Sequence, residues 1–120
     1  MNGINYTRYY MKLQRALKDA GDLYTVQEIL AAISEDRMQS FAEGNTWAIT
    51  EVHTFPGKKV LDICYVIGDM KEAEKLHDRV VEFARSIDAT MVRAFGRRGW
   101  EKHAIKNGWR TAGQTYHKDI

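Results

Sequence analysis

The sequence predicts one α/β (α+β) domain over residues 1–120, with a mixed central sheet, two N-terminal helices, one long crossover helix and one short C-terminal helix. Three observations carry that prediction. Residues 59–120 read strand, long helix, strand, short helix, strand with almost no loop between them. The long helix has an unbroken apolar face, and a strand, crossover helix and strand imply a parallel pair or a return into a mixed sheet. Composition is ordinary for a globular domain, 44% apolar and 28% charged with one proline, so a single core closes and no long disordered tract is expected.

Taken in order, Tyr10, Leu13 and Leu17 recur at helical spacing and stop at Gly21, a natural helix end. Thr25-Val26-Gln27-Glu28 is a capping box opening a second helix that carries Ile29, Leu30 and Ile33. Both helices should cover one sheet face. Met38 to Ala42 reads as a short strand, Glu43-Gly44-Asn45 as a turn, and Trp47 to Phe55 as a strand of alternating β-favouring residues. Pro56-Gly57-Lys58 turns the chain into the apolar strand Val60 to Ile67. Asp69 then caps the long helix, with Glu72 completing a second capping-box layout. Ala73, Leu76, His77, Val80, Phe83, Ala84 and Ile87 share its inner face, which makes His77 a hydrogen-bonded core histidine. Thr90 to Phe95 is a strand, Gly96 to Gly99 a turn, Trp100 to Lys106 a short helix, and Trp109 to Lys118 a closing strand.

Charge is uneven along the chain. Residues 90–120 hold seven Lys or Arg against two acids, leaving 11 basic against 14 acidic residues in the first 89. A basic end suits phosphate, an anionic ligand or an acidic partner. No apolar run reaches the roughly 20 residues of a membrane span, and the N-terminus lacks a signal-peptide layout, so an intracellular setting without membrane contact is expected. No nucleic-acid recognition motif is present. Cys64 lies in an apolar strand as a buried thiol, and His53, His103 and His117 lack metal-site spacing, so no metal is expected.

The order of elements, and above all Gly96-Arg97-Arg98-Gly99-Trp100-Glu101 running through to Asn107-Gly108-Trp109, resembles the C-terminal half of the GNAT superfamily of N-acetyltransferases. Over nearly the whole chain, Met38-Gln39, Thr50-Glu51-Val52 and Gly96 to Glu101 are similar to small GNAT-like proteins of tailed phages and prophages, which include internal virion proteins of short-tailed phages. The resemblance implies a GNAT-like sheet and a setting in the host cytoplasm or the virion. It also implies acetyl-CoA as the cofactor of an active enzyme, with Val66, Ile67 and Gly68 where the parallel strands splay. The superfamily cradles the cofactor's pyrophosphate on a Gly-rich loop, whereas this chain has Gly68-Asp69-Met70-Lys71. One glycine supplies no amide nest, and Asp69 places a carboxylate where phosphate charges would sit. Ala104 stands where many members carry a proton-donating tyrosine. These departures predict a degenerate site.

Glu51 and Asp62, on neighbouring strands, are the candidate general bases, against the simpler reading that each faces water or pairs with a Lys or Arg. Arg97-Arg98, in a Gly-bounded turn before a helix, is the candidate clamp for an anion or a partner's acidic surface, or else a pair for Glu51 or Asp62. Two functions follow. The first is a non-enzymatic virion or interaction protein binding a phage or host protein; the alternative is a CoA-dependent N-acyltransferase acting on an amine.

Overall fold

The computed structural model describes residues 6–95, 98–113 and 115–120. Four helices and four strands follow one another as α1 (Tyr6–Asp19), α2 (Val26–Ser34), β1 (Gln39–Glu43), β2 (Thr46–Thr54), β3 (Lys59–Ile67), α3 (Met70–Ser86), β4 (Met91–Ala94) and α4 (Glu101–Lys106), the last preceded by a 3-10 turn at Arg98–Trp100. The strands form one mixed sheet in the order β1-β2-β3-β4. β1, β2 and β3 are antiparallel, and β4 returns parallel to β3 after the α3 crossover.

Each face of the sheet is covered by the helices its apolar pattern calls for. Leu13 and Leu17 of α1, with Val26, Ile29 and Ile33 of α2, pack on Trp47, Ile49, Tyr65 and Ile67. Leu61 on the other face meets Val80 and Ala84 of α3, with Phe83 and Val92 alongside. The α2 capping box forms in both directions, Glu28 N–H to Thr25 Oγ1 and Thr25 N–H to Glu28 Oε1, at 3.1 and 2.9 Å. After each of the first three helices an Asp adopts a left-handed backbone: Asp22, Asp36 and Asp88, with φ of 55°, 59° and 60°. Aspartate tolerates that region better than most side chains.

Three expectations are corrected. Trp109 to Lys118 forms no strand among its described residues. Among the described residues the sheet ends at β4, and those of the segment are exposed except Trp109, so no apolar face drives it onto the edge. Trp109 instead turns back to α3 and donates its Nε1–H to His77 Nε2 at 3.1 Å. His77 is therefore hydrogen-bonded as expected but half-buried beneath an indole, outside the core. The α3 capping box is also incomplete. Asp69 caps as predicted, but Glu72 reaches away from it to the β1–β2 turn, where its carboxylate accepts from Asn45 N–H and the Thr46 hydroxyl.

Candidate functional site

The β3–α3 junction is built around Thr46, which is fully buried. Its Oγ1 accepts the Asp69 N–H at 2.7 Å and donates to Glu72 Oε1 at 3.0 Å, so one hydroxyl ties the start of α3 to the β1–β2 turn. Asp69 Oδ1 accepts from the amides of Lys71 and Glu72 at 2.7 and 3.3 Å, and the Ala73 amide closes the first helical bond to Asp69 O at 2.9 Å. The amides of residues 69, 71, 72 and 73 thus all have internal partners. Gly68 has φ +125°, and a Cβ there would sit 2.6 Å from Asn45 O and Thr46 Cα, so the turn presses directly on the hairpin backbone. A diphosphate at this helix end would meet the Asp69 carboxylate, which already accepts the Lys71 and Glu72 amides.

Of the three residues predicted to contact a cofactor, Ile67 is buried in the α1/α2 core, Val66 is half-buried, and only Gly68 is exposed. A cleft of ≈ 590 Å³ opens beside Gly68, walled by Lys12, Arg15 and Asp19 of α1 and by Asn45 and Asp69. Its two cations are matched by two carboxylates, so it offers no net positive field to a diphosphate. Among the described residues β3 and β4 pair over Val60–Ile63 and Met91–Ala94, with a further bond from Phe95 N–H to Ile63 O at 3.3 Å, while β3 runs on to Ile67.

The structure brings Glu51 and Asp62 together, as cross-strand partners on β2 and β3. Asp62 is fully buried. Arg93, its register partner on β4, grips it with two bonds, Nε to Oδ1 at 2.6 Å and Nη2 to Oδ2 at 2.9 Å. His53 bridges the carboxylates, its Nδ1 against Asp62 Oδ2 and its Nε2 2.8 Å from Glu51 Oε1. Burial pushes Asp62 upward, but the bonds from Arg93 and then His53 outweigh it and hold the carboxyl below its ordinary value. The bond to Asp62 raises His53, against partial desolvation and with help from Glu51. Cys64 sits at the register shift beside this cluster, and burial lifts its thiol to about 12, far from a thiolate nucleophile.

Among the described residues Arg93 is the arginine that locks Asp62. Arg97 and the side chain of Arg98 lie outside the described part. His53 and Arg93 are the members that motif reading misses. A histidine two residues after Glu51 on one strand shares its face, which is a usable signal; Arg93 needs the β3–β4 register.

No protein-family model matches the sequence, and no curated protein matches it. Solved structures do. A Trypanosoma brucei acetyltransferase superposes with a TM-score of 0.67 at 12% identity, covering 98% of this chain and 96% of its own. A transcriptional regulator from Bacillus halodurans gives 0.65 at 9%, covering 93% of each chain. A structure described as a "probable acetyltransferase" gives 0.63 at 11%, covering 93% and 92%. At these identities the likeness carries architecture alone: the chain has a GNAT-like acetyltransferase fold.

Proposed function

We propose that this chain is a phage or prophage protein that keeps the GNAT-like fold with a degenerate acetyl-CoA site. It acts without catalysis, by binding a phage or host protein in the host cytoplasm or the virion. The observation that supports a degenerate site is the start of α3, where Thr46 and Asp69 accept the amides of residues 69, 71 and 72. The phage setting rests on the sequence resemblance at Met38-Gln39, Thr50-Glu51-Val52 and Gly96 to Glu101. A melting curve with acetyl-CoA tests the first point. A ligand at 100 times its dissociation constant stabilises by ~2.7 kcal/mol, roughly 10 °C in Tm for a domain of this size. No shift at millimolar acetyl-CoA is expected. Co-purification with phage particles tests the second.

One observation favours the second reading, a CoA-dependent N-acyltransferase: Glu51, His53 and the buried Asp62 form one hydrogen-bonded chain. In that reading Glu51, 25% exposed, or His53 takes the proton from an acceptor amine. Acetyl-dependent thiol release with a panel of amines, abolished in Glu51→Gln, would establish it.

A further inference from the structure

No side chain of α4 is buried, and its apolar Ile105 is 56% exposed, so apolar packing does little to hold this helix on the domain. Two polar contacts tie it to α3. His103 Nδ1 stands 2.9 Å from Glu74 Oε1. Just beyond the helix, Trp109 donates its indole N–H to His77 Nε2 at 3.1 Å, with the ring centres 5.9 Å apart. The Trp109 backbone N–H is itself bonded to Ala104 O at 3.0 Å, so the indole docks the C-terminal end of α4 as well as itself.

Donor and acceptor chemistry fixes the state of His77. An indole N–H can only donate, so His77 Nε2 must offer a lone pair and the ring proton sits on Nδ1, 3.2 Å from Asp78 Oδ1. A second proton puts hydrogens on both nitrogens and leaves Trp109 without an acceptor. Asp78, almost wholly exposed, keeps its bond through the change. His103 responds with the opposite sign, because protonation turns its bond to Glu74 into an ion pair, screened by water since both side chains are about half exposed. The sheet beneath α3 meets it through Val52, Leu61 and Val92, which do not ionise, and Arg93 of β4 is engaged with Asp62 on the opposite face. Arg110, next to Trp109, is exposed. We propose that His77 is a proton-operated latch for the C-terminal end of α4. Neutral, it holds the Trp109 indole on α3; protonated, it releases the indole while His103 keeps α4 tethered to Glu74. Histidine is the side chain that changes charge between about pH 5 and 8, so the latch works across the neutral range. It concerns residues 77 and 109 and is independent of whether the chain binds acetyl-CoA.

The test uses the full chain labelled for nitrogen NMR, with the Trp109 indole N–H identified as the resonance lost in Trp109→Phe. Its protection from hydrogen exchange, relative to free tryptophan, is expected to be about tenfold at about pH 8 and to vanish by about pH 5. The midpoint should coincide with that of the His77 ring protons in the same sample. His77→Gln, which offers a carbonyl acceptor and does not titrate, should keep the protection down to about pH 5. In His103→Gln the fall should still follow His77. Protection that does not vary with pH, a midpoint not shared with His77, or the same fall in His77→Gln would overturn the proposal. So would loss of amide protection in β2 and β3 over the same range, which would mean unfolding in place of release.

Discussion

Asp62 is an unusual residue to find fully buried in a sheet of this size, and its three side-chain bonds explain why it is tolerated. It joins β2, β3 and β4 through one carboxylate. Asp62→Asn leaves Arg93 and His53 without a counter-charge and is expected to cost about 2–3 kcal/mol, below the range for a fully buried pair because both partners reach water. A urea midpoint that falls with an unchanged slope would show it. The same cluster sets a pH profile. His53 has a raised folded value, so its contribution is complete below the unfolded histidine value of about 6.5 and fades as pH rises through the folded one. Asp62 has a depressed value, so its contribution holds above about 3.9 and fades as pH falls through the folded one. Stability should therefore peak at about pH 5 to 6. Urea midpoints across the range locate the peak, and His53→Gln should flatten the alkaline limb.

The junction of β3 and α3 gives sharper predictions at the scale of an element. Gly68→Ala forces a Cβ against Asn45 O and Thr46 Cα at a φ of +125°, and should cost at least about 2 kcal/mol. Asp69→Ala removes only the cap and should cost about 1 kcal/mol. Denaturation of the two variants side by side separates hairpin contact from capping. Much of this element was legible in the sequence, because a capping Asp after a strand and an apolar face at helical spacing are local signals. The Glu72 bond to Asn45 and Thr46 was not, since it spans two elements and depends on how the hairpin meets the helix. The same distinction explains Trp109 to Lys118. Its β-favouring residues describe a preference, while pairing needs an edge and a buried face, and Trp109 finds His77 instead. Likewise Glu51 and Asp62 stood out as strand carboxylates, but Arg93 and His53 joined them only once the register was known.

Across the whole molecule, the GNAT-like architecture and the chemistry of the β3–α3 junction depend on different residues. Two helices on one face, α3 on the other, and a parallel β3–β4 pair give the fold shared with the acetyltransferase structures. At the start of α3 the chain itself holds the amides of residues 69, 71 and 72. A fold can persist under a changed role because packing and site chemistry depend on different residues. The most direct test is isothermal titration of acetyl-CoA into the full chain at neutral pH. No saturable heat at millimolar ligand is predicted; a dissociation constant in the micromolar range, lost on reversing the charge of Lys71, would contradict the account.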